Sequence, residues 1–212
     1  MVPFPTWLRV FLLLSVVFAS IFARAQSASL DYFEKDAKLW GLIRDKRQIM
    51  VSAKNENGQT QSKGVGLVNK PLAQVYAFAT NPDKIKTVSR FLKGFTWNRQ
   101  TGDVVMEIEI LYISYRLIGK VVEKPDPENP KLEFQVFEGE LIPFNGELEM
   151  RSLTAQKQRA GAPHFPEGQT LVRISGQSAK DRALSWPLRV GLEAVLQRTA
   201  GALREAVEAE SH

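Results

Sequence analysis

Apolar and polar positions alternate from residue 104 onward: Val104, Met106, Ile108, Ile110 and Tyr112 on one side, Glu107 and Glu109 on the other. A period of two puts every second side chain on the same face of a strand, so this stretch predicts a half-buried antiparallel strand. The alternation recurs over residues 114–124 and over 131–138, where Leu132, Phe134 and Val136 point inward. It returns over 147–153, where Leu148 and Met150 are set against Glu147, Glu149 and Arg151. Residues 95–99 and 170–176 predict two further strands. The segment 125–130 (PDPENP) is a turn, since proline cannot donate to a ladder. Ahead of this meander, residues 46–56 and 61–68 predict a hairpin whose turn is Asn57-Gly58, the pair that most readily takes two positive φ angles.

Elsewhere the period is close to 3.6. Residues 27–44 predict a helix, with Leu30, Phe33, Ala37, Leu39 and Trp40 in phase and Gly41 weakening its end. Asn69-Lys70-Pro71 reads as a helix start, Asn capping and Pro in the first turn. Its apolar face is Leu72, Val75, Tyr76 and Ala79. Asn81-Pro82 ends that helix and opens a second short one over 83–92. Ser185 is placed to cap a long final helix with Trp186-Pro187 in its first turn; its stripe is Leu188, Leu192, Val195, Leu196, Thr199, Ala202, Leu203 and Val207. Segregated strands and helices define an α+β class. A curved antiparallel sheet with the long final helix laid across its inside, and two short helices after the second strand, covers every apolar face.

The N-terminus follows a different rule. Residues 10–23 are an uninterrupted apolar-to-small run behind Arg9, followed by Ala23-Arg24-Ala25. A charged start, a short apolar run and a small-x-small site describe a secretory signal peptide. Such a run spans about 21 Å as a helix against a hydrocarbon core of about 30 Å, which favours cleavage over a retained anchor. The expected organisation is a signal peptide at 1–25, an N-terminal helix at 26–45 and one ligand-binding domain at 46–212, in the periplasm or secreted.

Composition narrows the chemistry. The 212 residues include no cysteine and only two histidines, His164 and His212. Disulfides, thiolate zinc sites and cysteine nucleophiles are excluded, and a multi-histidine metal site nearly so; neither metal nor cofactor is expected. Net charge is +5, and losing Arg9 and Arg24 with the signal peptide leaves 5 − 2 = +3, too little to argue for nucleic acid. No phosphate-loop, dinucleotide or zinc-protease motif is present.

Three stretches carry a resemblance. Residues 40–51 (WGLIRDKRQIMV) give a tryptophan and then a strand. Residues 64–97 (GVGLVNKPLAQVYAFATNPDKIKTVSRFLKGFTW) give strand, proline-started helix, second short helix, strand. Residues 185–209 (SWPLRVGLEAVLQRTAGALREAVEA) give the final helix. In this order, and with the meander between, residues 39–209 resemble a START-like (SRPBCC, helix-grip) domain. The resemblance implies a hydrophobic-ligand cavity between sheet and final helix, in a family that binds or moves lipids, sterols, quinones or polyketides and includes some cyclases. It brings no universal catalytic residue. The expected function is binding or transfer of a hydrophobic ligand, most simply a lipid, with transient membrane contact. The alternatives are a cyclase or hydrolase in the same cavity, or a protein-interaction module with a filled core. Oligomeric state is not legible.

Candidate cavity residues are Met106, Ile108, Tyr112, Phe134, Met150, Leu192 and Val195, with Gly191 and Gly201 on the final helix leaving either room for a ligand or close packing. Glu138 is in phase with Leu132, Phe134 and Val136, so it either grips a headgroup or lies solvated past the strand end. Tyr115, Arg116 and Arg173 are lesser polar handles. Leu141, Ile142 and Phe144, around Pro143 and between Gly139 and Gly146, form an apolar loop expected to gate the cavity or touch a membrane. His164 reads as solvated in a polar loop.

Overall fold

The structure is a computed structural model that describes residues 37–88, 91–110, 113–139, 143–153 and 168–210. The expected signal segment, Tyr112, Leu141, Ile142 and His164 lie outside the described residues. The chain divides into two compact units, Met1–Lys46 and Arg47–His212. In the first, helix α1 covers Ala37–Arg44 and ends on an exposed ion pair, the Arg44 guanidinium donating to Asp45 at 2.5 and 2.9 Å.

The second unit runs β1 (Met50–Glu56), β2 (Gln59–Val68), α2 (Leu72–Ala79), α3 (Pro82–Val88), β3 (Leu92–Trp97), β4 (Asp103–Ile110), β5 (Ile113–Lys124), β6 (Lys131–Gly139), β7 (Phe144–Leu153), β8 (Gln169–Ser178) and α4 (Trp186–Ala209). The eight strands form one antiparallel sheet in the order β1-β2-β8-β7-β6-β5-β4-β3. The β1–β2 turn takes φ 51° at Asn57 and 75° at Gly58, the two positive angles a two-residue hairpin demands.

Register lines up one face across the sheet. Gly64 opposes Ile174, Ile174 opposes Leu148 and Leu148 opposes Leu132; further along, Phe95 opposes Met106 and Met106 opposes Leu117. Against this inner face pack α2, α3 and the C-terminal half of α4. The core they enclose includes Val75, Phe78, Trp97, Val104, Leu132, Met150 and Val207.

Helix α4 is pinned at several points. Glu193 accepts the backbone N–H of Ala53 at 2.6 Å, which occupies a donor on the sheet's edge strand. Glu208 accepts the Asn69 N–H at 2.8 Å and pairs with Arg47. At the C-terminus Lys84 meets the Glu210 carboxylate at 2.6 Å, and Lys70 donates to the Glu210 carbonyl at 2.6 Å. Cations there complement the helix dipole.

Several expected boundaries shift. The second short helix ends at Val88 rather than 92, because Leu92 pairs with Ile108 and belongs to β3. Asn69 does not cap α2: Pro71 holds the cap position, and the Asn69 side-chain oxygen accepts from Gln169 at 2.6 Å instead. Ser185 stands at the start of α4, yet its hydroxyl makes no capping bond; its carbonyl accepts the Arg189 N–H. β7 starts at Phe144, not at 147, since Phe144 pairs with both Val136 and Ser178.

Candidate functional site: an apolar cavity beneath the final helix

A cavity of about 180 Å³ lies between the inner face of the sheet, α2 and one side of α4. Its sheet side is built from β1 and β2 and from Leu148, Met150, Val172 and Ile174 of β7 and β8. On α4 the lining residues Leu196, Thr199, Ala200, Leu203 and Val207 are spaced three, one, three and four apart, a single stripe of the helix. The helical walls of the space carry small residues, Ala79 on α2 and Ala200 on α4. Ile174 and Ile49 fill the room that side chains at Gly64 and Gly66 would need, since a Cβ there would stand 2.8 and 3.1 Å from them. An apolar cavity of about 150 Å³ stays dry and accepts a benzene-sized ring, so this one suits a ring or a short alkyl chain. Arg204 is the only charged residue in the described lining. It donates to the Arg47 carbonyl.

Of the expected cavity residues, Met150 lines this space and is fully buried. Met106 packs on the core, and Ile108 sits half-buried beside Tyr115 on the same inner face, away from this cavity. The Phe134 ring lies over Gly146 and stacks with Phe144 at 6.3 Å and 13°. Phe144 is therefore a half-buried strand residue whose ring also covers Gly176, not a loop residue. Leu192 and Val195 lie half-buried on the first half of α4, outside the lining. A Cβ at Gly191 or Gly201 would meet nothing within 4 Å, so neither glycine serves close packing.

Glu138 is not inward. The β5–β6 register shifts between Val136, which opposes Gly119, and Glu138, which opposes Ile118. The extra residue, Phe137, reverses the phase and leaves Glu138 exposed on the outer face. Arg173 is no cavity handle either: it opposes Glu149 on the outer face and donates to it at 2.9 Å. Arg116 opposes Glu107 and is exposed. Apart from Met150, the lining residues, Arg204 among them, were not expected cavity candidates. Arg204 had a usable signal, lying eight residues after Leu196 and four after Ala200 on the helical stripe.

A polar cluster stands at the α2 end of the sheet. Tyr76 donates to Glu123 at 3.0 Å, and Arg99 grips the same carboxylate at 2.6 and 2.7 Å while its guanidinium lies 5.8 Å from the Trp97 ring centre. The Arg99 hydrogen bond, with that of Tyr76, holds the Glu123 carboxyl below the usual carboxylate range; burial and the Glu123 bond push the Tyr76 phenol up. A carboxyl depressed on folding stabilises above its unfolded pKa, and that stability fades as pH falls through the folded value. Glu123→Gln is therefore expected to cost about 1–2 kcal/mol near neutral pH and to flatten the acid limb of the stability curve, read by urea unfolding from pH 7 to 3. A parallel curve, merely displaced, would remove Glu123 from the acid response.

Among the described residues no three histidine or acidic side chains are grouped to hold a metal, and no helix is long and apolar enough to cross a membrane.

No family model and no curated protein matches the sequence. Solved structures do match in shape. The STAR-related lipid transfer protein of Xanthomonas axonopodis aligns over 75% of this chain and 93% of its own, with TM-score 0.57 and 7% identity. The lipid transfer and protein localization domain of human StarD13 aligns over 77% and 86%, with TM-score 0.54 and 10% identity. A Thermus thermophilus protein, TTHA0849, aligns over 72% and 99%, with TM-score 0.52 and 17% identity. These likenesses establish the architecture: the chain has the helix-grip fold, an α+β unit in which an antiparallel sheet holds a long C-terminal helix.

Proposed function

We propose that this chain binds a small hydrophobic ligand, a lipid or lipid-like molecule, in the cavity beneath α4, and carries it outside the cytoplasm after removal of the signal peptide expected at residues 1–25. The apolar cavity carries the reading: about 180 Å³ stays open beneath α4, with small residues on α2 and α4 in its wall. Each methylene buried there gains about 0.8 kcal/mol. Structural neighbours named for lipid transfer support the same reading. The described lining has no carboxylate and no histidine, which favours binding over acid–base catalysis.

The test fills the space. Ala200→Phe should occupy the cavity from its helical wall, leave the fold intact by circular dichroism, and weaken binding of apolar probes at least about tenfold. Organic extraction of the purified parent, followed by mass spectrometry, should recover a co-purified hydrophobic molecule that the variant lacks. A folded variant that binds apolar probes as the parent does would reject the cavity as the site.

A further inference from the structure

The one charged residue in the described lining says what kind of molecule the cavity takes. Arg204 continues the stripe of α4 that faces the space, four residues beyond Ala200. Its guanidinium has five N–H groups, and among the described residues its hydrogen bond is a single one, to the Arg47 carbonyl. That contact holds the Arg47 backbone against Arg204, two residues before the lining residue Ile49. Arg47 points one terminal nitrogen at Glu208. Its Nε, by contrast, is buried and has no hydrogen-bond partner among the described residues. Glu208 is also occupied by the Asn69 N–H, so the cluster holds two guanidinium charges against one carboxylate. A buried N–H left without an acceptor costs free energy, and an uncompensated positive charge at the edge of an apolar space adds to that. A neutral acceptor can satisfy the N–H but leaves the charge uncompensated. A planar carboxylate relieves both, because a guanidinium presents paired donors at the spacing of two carboxylate oxygens.

Volume sets the other limit. A space of about 180 Å³ admits one short tail or one ring, below the range of about 300–1,000 Å³ occupied by larger ligands. We propose that the cavity takes a single-tailed monoanion, a short alkanoate or similar carboxylic acid, with its head on Arg204 and Arg47 and its tail under α4. This rests on the cavity being the ligand site and adds the ligand's charge and tail number.

Calorimetric titration of the full chain with octanoate, 1-octanol, octylammonium and acetate tests it, all below micelle-forming concentrations. Octanoate should bind at least about tenfold more tightly than 1-octanol, octylammonium should bind most weakly of the three octyl compounds, and acetate should not bind measurably. Arg204→Met should bring octanoate to the level of 1-octanol, and Arg204→Lys should keep part of the preference. Equal affinity for octanoate and 1-octanol in the parent chain, which needs no variant to fold, overturns the proposal while leaving the cavity as a neutral-lipid site. Acetate competing as well as octanoate also overturns it, as an anion site without a tail. Failure of both octanoate and 1-octanol to bind removes the proposal together with the cavity reading beneath it.

Discussion

Arg173→Met is expected to cost about 3–5 kcal/mol of folding stability, read as a lowered urea midpoint with an unchanged slope. Glu149 is 5% exposed and opposes Arg173 directly across the β7–β8 pair, with 2.9 Å between them. Removing the guanidinium leaves a carboxylate buried without its cation, and that desolvated charge, more than the lost attraction, sets the magnitude. Replacing both partners by methionine should therefore recover most of the loss, because two apolar side chains of similar volume ask for no partner. A single variant that loses less than about 1 kcal/mol would mean that the Glu149 carboxylate reaches water, as surface pairs do.

Gly146→Ala is expected to cost about 3 kcal/mol for a single added methyl group. A Cβ at this position would stand 2.4 Å from the Phe134 ring and 2.4 Å from the Ser175 carbonyl oxygen. The ring has some freedom to turn, but the carbonyl is fixed in the β7–β8 ladder, so part of the clash is relieved only by moving a strand. Trimming the ring as well, in Gly146→Ala with Phe134→Leu, should recover a fraction of the loss and not all of it. Full recovery in that double variant would mean that the backbone contact at Ser175 is easily relieved. A melting temperature equal to the parent's in Gly146→Ala would contradict the packing described.

The elements of this fold were legible wherever one period held over a whole segment. The alternation through residues 104–110 and 131–136 placed Met106, Ile108, Leu132 and Phe134 on the inner face, where they lie. Legibility failed where a single residue changed the phase. The bulge at Phe137 reverses Glu138, and nothing in the run KLEFQVFEG marks it, because a bulge is set by the partner strand as much as by its own sequence. Phe144 was read as loop because its apolar neighbours and Pro143 break the alternation; its strand pairing depends on Ser178 and Val136, outside its own segment. A cavity between sheet and final helix was expected from resemblance, but most of its lining residues were not. Part of its wall is Ala79 and Ala200, and small residues carry almost no hydrophobic signal. Arg204 was passed over as one charge among several on a long helix, since a helical pattern alone does not tell a charge at the rim of a cavity from one in solvent.

The strand order also dictates how the chain must fold. β2, formed early in the sequence, finds its second partner only in β8: Gln61 opposes Gln177 across 177 − 61 = 116 residues. Closing a loop of that length costs entropy before any inter-strand contact repays it, so the step belongs among slow, topology-limited events rather than the microsecond events of local helices. Until β8 arrives, the β1–β2 hairpin and the β3–β7 meander each present an open edge. The final two elements, β8 and α4, join these halves into one sheet and then cover its inner face. A nascent chain thus stays unsealed until β8 and α4 are made, and in that interval its exposed strand edges are the surfaces most at risk of pairing with another copy.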